Sequence, residues 1–267
     1  FNFLGETPSC CWGPLKVDVE LPNLILVCLA AFFAGGLNSL AGGGSFITLP
    51  ALLYVGISPV LANTTSAAAI LPGYFGSVVG FKKTFTTISL NKIMPLIFLV
   101  IIFSVGGAFF LINTSDEFFI KVLPFLIFMA TLLFIFNPQT VRQKSQSPSG
   151  VYQKIGLSFV STYGGYFNGG LGLALLSVLS IEKDFSLKQL SAIKSLLSLF
   201  ITLVSVSIFF LNNFVAWSFV FYMMFFSIFG GFIGAKLTEV LPDQLLRRFI
   251  ILVGISLSIS LFTLNYL

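Results

Sequence analysis

Two hydrophobic segments of this chain are interrupted by glycine where a membrane helix should run on. The first interruption reads Gly35-Gly36-Leu37-Asn38-Ser39-Leu40-Ala41-Gly42-Gly43-Gly44-Ser45. The second reads Gly164-Gly165-Tyr166-Phe167-Asn168-Gly169-Gly170-Leu171-Gly172. Glycine costs about 1 kcal/mol against alanine in a helix interior. Consecutive glycines free backbone N–H and C=O groups that lipid cannot satisfy, so such backbone survives at membrane depth only inside protein or along a cavity. Two interrupted segments at matching places in two halves point to the substrate site of a transporter.

The rest of the chain supplies the membrane setting. It is 57% hydrophobic and only 9% charged, with a mean hydropathy of +1.02. That composition marks an all-α, polytopic membrane protein surrounded by lipid. The net charge of +5 is read as cytoplasmic loops, and no nucleic-acid partner is expected. Histidine is absent, and Cys10, Cys11 and Cys28 form no metal motif, so neither a metal site nor a cofactor is expected. An enzyme is not expected either, because no nucleophile–base pair or acid cluster is in view. The chain opens at Phe1, so a start segment is either missing or processed away.

Taken in order, residues 1–21 read as an arm before the first apolar stretch, which runs from about Leu21 to Leu37. After the first glycine break comes a short piece, Phe46 to Val55, too short to span a bilayer. Pro59 opens a helix that reaches Phe81 and ends at Lys82-Lys83. Two ordinary spans follow, about 91–113 and 117–136. Residues 137–152 are the most polar of the chain and read as a linker. The second half repeats the order: a stretch from about 153, the second break, a short piece to Ile181, then spans at about 186–211, 214–236 and 244–265. The expected units are therefore a first repeat, 22–136, and a second, 153–267.

Charge sets the orientation. The loops with Lys82, Lys83 and Lys92 and with Arg142, Lys144 and Lys154 lie two spans apart and share the cytoplasmic side; Asp116 and Glu117 fall outside. Lys236, Arg247 and Arg248 mark another cytoplasmic loop, which places Glu182–Lys188 inside as well. Segment 153–181 then starts and finishes inside, and 22–57 starts and finishes outside, each as a re-entrant hairpin. Eleven of the fourteen basic residues fall inside. The expectation is an inverted-topology repeat in the plasma (inner) membrane, each half a hairpin plus three transmembrane helices, with both termini extracytoplasmic.

Lys194 falls inside a span, about 12 Å deep at 1.5 Å per residue. A cation at depth costs about 2.5–3.5 kcal/mol and is functional by default; the alternative is a lysine that snorkels to the surface. Aligning Leu61–Ser66 with Leu190–Ser195 makes Thr65 its counterpart. Asn38, Gly42, Gly43, Gly44 and Ser45 are expected to present donors from one hairpin, and Asn168, Gly169 and Gly170 from the other. Asn63, Thr64, Thr65, Lys194 and Ser195 are expected to close the site from the following helices. The competing reading makes the hydroxyls and glycines helix-packing groups. Helix N-termini and one cation, with every acid at an end or in a loop, suit a small anion.

These motifs resemble those of a known family. Asn38–Ser45 followed by Pro50 and Ala62-Asn63-Thr64 resembles the first signature of the TauE/SafE sulfite exporters. Tyr163–Gly172 followed by Lys194 resembles the second. Gly230-Gly231-Phe232-Ile233-Gly234-Ala235-Lys236, Leu241-Pro242 and Arg247-Arg248 resemble the closing helices. The resemblance covers about residues 22–265. It implies a secondary transporter, acting outward, of sulfite, an organosulfonate or a related sulfur oxyanion, by alternating access. The alternatives are an anion channel of the same fold and a transporter of another small carboxylate or oxyanion.

Overall fold

The computed structural model describes residues 20–40, 42–135, 149–179 and 185–237, with single positions beyond 247. Among them every regular element is a helix. The first half holds α1 (Leu21–Leu40), α2 (Ser45–Tyr54), α3 (Pro59–Gly80), a short α4 (Lys82–Phe85), α5 (Leu90–Ile112) and α6 (Asp116–Ile135). The second holds α7 (Ser149–Tyr166), α8 (Leu171–Leu179), α9 (Leu187–Leu211) and α10 (Trp217–Leu237). Most of the expected arm and of the linker lies outside the described residues, though Leu21 already belongs to α1 and 149–152 to α7. Of the last expected span only single residues are described. Ser258 Oγ donates to the Pro124 carbonyl at 3.1 Å, and the Phe262 ring meets Phe125 at 6.1 Å.

Among the described residues, four helices are long and apolar enough to cross a membrane: Leu21–Ser39, Asn91–Ile112, Lys188–Leu211 and Trp217–Leu237. The 22-residue α3 is as long but less apolar. Its first turns are enclosed by protein, with Asn63, Thr64, Thr65 and Ser66 all buried, while Phe75 and Val79 near its end are exposed and apolar. The 10 residues of α2 and 9 of α8 reach only about 15 Å, half a hydrocarbon core.

The helices pack by one scheme used twice. Helix α10 lies against α1 and α3; α5 lies against α7 and α9; α3 and α9 meet between these groups. The short helices α2 and α8 each pack on the long helices before and after them.

The glycines show why the scheme recurs, and they correct the expected extent of both breaks. Gly35, Gly36, Gly164 and Gly165 are helical, so α1 runs on to Leu40 and α7 to Tyr166. They serve close packing instead. A Cβ on Gly35 would run into the Ser227 carbonyl and lie 2.9 Å from the Gly231 nitrogen. A Cβ on Gly165 would run into the Ser104 carbonyl and lie 3.1 Å from the Ala108 nitrogen. In return, a Cβ on Gly230 would collide with the Phe32 carbonyl and one on Gly107 with the Thr162 carbonyl. Helix association in lipid depends on such close backbone approach.

Neighbouring glycines of α5 provide a test. Gly107 faces α7, whereas a Cβ on Gly106 would meet nothing within 4 Å. Gly107→Ala should lower the melting temperature of the purified protein clearly, since overpacking costs about 1–3 kcal/mol. Gly106→Ala should leave it unchanged or raised. Equal melting temperatures for the two variants would remove the close-packing account.

Candidate functional site

Both chain breaks sit at the centre. After α1, Gly42 takes φ +88° and its N–H donates back to the Leu37 carbonyl at 2.9 Å. A left-handed residue after the last turn is a common way to end a helix, and glycine adopts it without a Cβ penalty. After α7, Gly170 takes φ +73°, and its carbonyl accepts from Leu173 and Ala174 to open α8. The breaks touch. A Cβ on Gly172 would lie 2.6 Å from Gly42 Cα, and one on Gly42 would overlap Gly172. The backbones of the two halves are thus in direct contact.

Lys194, fully buried on α9, reaches across to the end of α1. Its Nζ donates to the carbonyls of Asn38 at 3.1 Å and Ser39 at 2.9 Å. These belong to the last turn of α1, where carbonyls lack helical partners and carry negative partial charge. Lys194 therefore does not snorkel. It is the only buried charged side chain among the described residues. An ammonium has three N–H donors, so two carbonyls leave one for another acceptor.

Two buried amides have one end fixed by backbone. Asn38 Oδ1 accepts from the Gly44 N–H at 2.7 Å, which turns its NH2 outward; that Nδ2 has no partner. Asn63 Nδ2 donates to the Tyr166 carbonyl at 3.0 Å, which leaves Oδ1 without a partner. Flipping either amide would set like groups against each other. Ser45 Oγ, on the first turn of α2, is also buried and unpartnered. The first break thus presents Asn38 Nδ2, Ser45 Oγ and a remaining Lys194 N–H. This is a donor set, and it suits an anion.

The other expected site residues have structural partners. Asn168 is engaged at both ends of its amide: Oδ1 accepts from the Tyr74 hydroxyl at 3.2 Å and Nδ2 donates to Thr202 Oγ1 at 3.0 Å. The Gly169 carbonyl accepts from the Tyr163 hydroxyl at 2.6 Å, and the Gly43 carbonyl from the Phe46 N–H at 3.1 Å. Thr64 and Ser195 donate back into their own helices, to Val60 and Leu61 and to Ser191. Thr65 Oγ1 accepts from the Ala216 N–H at 3.0 Å, anchoring the turn before α10. Lys194, by contrast, contacts α1, so the two aligned residues hold different partners.

Several central residues were not among those expected. Ser39 Oγ donates to the Gly231 carbonyl at 2.6 Å and contacts Ser77 Oγ. Thr48 Oγ1 lies 2.6 Å from Ser66 Oγ, tying α2 to α3. Tyr74 and Thr202 hold Asn168. The signal was spacing: Lys194, Ser198 and Thr202 recur every fourth residue and share one face of α9.

The family model for the sulfite exporters TauE/SafE matches residues 27–261. The chain belongs to the TauE/SafE family. It is a multi-pass membrane transporter rather than an enzyme. It is 27% identical over 241 residues to a probable membrane transporter protein of Haemophilus influenzae, covering 89% of this chain and 94% of that one. It is 24% identical over 249 residues to probable membrane transporter protein ORF9 of a Sinorhizobium species, covering 91% and 94%. It is 26% identical over 238 residues to the probable membrane transporter protein YfcA of Escherichia coli K12, covering 86% of each. No solved structure matches this member of the family.

The two serines at the first break separate structural from ligand roles. Ser45→Ala removes a hydroxyl that bonds nothing, so the melting temperature should stay the same while anion binding weakens. Ser39→Ala breaks bonds to α10 and α3 and should cost about 1 kcal/mol of stability. Anion titrations and thermal melts on both variants check this; a stability loss for Ser45→Ala equal to that for Ser39→Ala would overturn it.

Proposed function

We propose that this TauE/SafE protein is a secondary transporter that exports a small sulfur-containing oxyanion, sulfite or an organosulfonate, by alternating access. One observation carries the reading. A fully buried lysine sits at a break in a helix, beside the unpartnered Asn38 Nδ2 and Ser45 Oγ, with no buried carboxylate among the described residues. A tetrahedral or trigonal oxyanion offers several acceptors at once, which matches donors arriving from three directions. The family's description as sulfite exporters supports sulfur as the central atom.

Alternating access draws support from the repeated packing scheme and from ties between helix ends. The Val60 N–H donates to Asp116 Oδ1 at 2.8 Å, so α3 and α6 start at one face. Gln189 Nε2 donates to Thr87 Oγ1 at 3.2 Å, and Lys92 Nζ lies 5.7 Å from the centre of the Phe185 ring. These join the start of α9 to the α4–α5 region. Each tie links segments that the charge pattern assigns to one side: 60 and 116 outside, 87, 92, 185 and 189 inside. In the inner membrane, the halves would then be inverted repeats that rock about the Gly42–Gly172 contact.

The test is a thermal-shift screen of purified protein with sulfite, sulfoacetate, taurine, thiosulfate, sulfate and simple carboxylates, followed by Lys194 variants with the best anion. Lys194→Ala should weaken binding about tenfold or more. Lys194→Arg should restore only part of it, since a planar fork does not reproduce a compact ammonium. An affinity in Lys194→Gln within about twofold of wild type, less than ~0.5 kcal/mol, would remove Lys194 from the site. Saturable flux with counterflow in liposomes separates this carrier from a channel of the same fold.

A further inference from the structure

We propose that the C-terminal end of α7, beside Asn63, binds a monovalent metal cation such as sodium; its role as the ion coupled to anion movement rests on the transport reading above. Both long broken helices end at the centre with their carbonyls exposed by the break. At the end of α1, the Lys194 amine donates to the Asn38 and Ser39 carbonyls. At the end of α7, a side chain from the other half again arrives, from α3 instead of α9. Here it is the neutral amide of Asn63, donating once, to the Tyr166 carbonyl at 3.0 Å.

The two ends are therefore treated unequally. A helix C-terminus carries about half a negative charge, and an amide does not offset it. Asn63 adds an acceptor to this end. Its Oδ1 has no partner, in a residue only 2% exposed, and the Tyr166 carbonyl forces that orientation. A buried oxygen without a donor, next to a negative helix end, is what a small cation would satisfy. Half-helix C-termini and unwound carbonyls coordinate sodium in other transporters with broken helices.

The ligands choose the ion. Neutral oxygens favour hard cations over transition metals, and without a carboxylate the site would not repay desolvation of a divalent ion. A proton has no place here, because neither an amide nor a peptide carbonyl titrates in the accessible range. A cation bound at α7 and an anion bound at α1 would lie on either side of the Gly42–Gly172 contact and could move in stoichiometric company.

The full chain, purified without oxyanion, is melted across a sodium chloride titration, with choline chloride holding chloride and ionic strength constant. Wild type should show a saturable rise in melting temperature with sodium. Asn63→Ala should weaken the apparent sodium affinity about tenfold or more. Asn63→Lys, which places on α3 the ammonium that α9 already carries, should melt as sodium-loaded wild type does and ignore sodium. Equal wild-type melts in sodium and choline would overturn the proposal, as would a wild-type sodium response in Asn63→Lys. Because this readout contains no oxyanion, failure of the anion screen leaves it intact, and its own failure leaves the Lys194 measurements standing.

Discussion

The bond from Lys194 to the last carbonyls of α1 is the interaction on which the rest depends. A helix interrupted inside a bilayer exposes carbonyls that lipid cannot partner, at several kcal/mol for each group left bare. An ammonium buried at the same depth is also unfavourable on its own. Each resolves the other's deficit, because the negative end of a helix is a good environment for a cation. The bond also crosses the chain's midpoint. Lys194 belongs to the second half and Asn38 and Ser39 to the first, so joining the halves and stabilising the break are one event.

That bond requires backbones to come close, and small residues make this possible. Gly172 stands directly below the lysine stem, where a Cβ would lie 3.3 Å from Lys194 Cδ. Gly42 meets Gly172 from the other side. Farther out, Gly35 and Gly36 packed against α10, and Gly165 packed against α5, hold α1 and α7 in position. Glycine thus has two unrelated uses here. At Gly42 and Gly170 it provides a left-handed backbone that ends or begins a helix. At Gly35, Gly107, Gly165 and Gly230 it remains helical and provides absence of bulk.

The order of elements was legible in the sequence because hydrophobic length and turn chemistry are local. The helices beginning at Pro59, Leu90, Asp116, Leu187 and Trp217 start within a few residues of where the sequence places them. Lys194 was legible because a lone cation in an apolar run has few explanations. The division of labour among the glycines was not. A pair such as Gly35-Gly36 breaks a helix or packs one according to whether Gly230 and Gly231 face it, and that depends on residues nearly two hundred positions away. The hydroxyls were illegible for the same reason. Thr64 bonds its own helix while Thr65, one residue on, holds the Ala216 N–H; rotation about the helix axis decides, and a run of four polar residues carries no mark of it. Tyr74, fully enclosed against Asn168, looks in sequence like any aromatic residue in a span.

The halves are alike in packing and unlike in charge, and the unlikeness has mechanical content. In the proposed cycle Lys194 would select an anion but could not leave with it, so after release it would need another partner in the emptied site. The Asn38 and Ser39 carbonyls are that partner, already within 3.1 Å. Under the proposed alternating access, the empty protein would then reorient without carrying a bare charge through the membrane centre. At the α7 end nothing permanent fills the equivalent position, since Asn63 spends one donor on Tyr166 and keeps an idle acceptor. An exact symmetric copy of Lys194 there would place two cations about one contact, and each would raise the electrostatic cost of the other. With a neutral amide at the second end, Lys194 stays the one cationic side chain beside this contact among the described residues, which suits the proposed binding and release of a single anion.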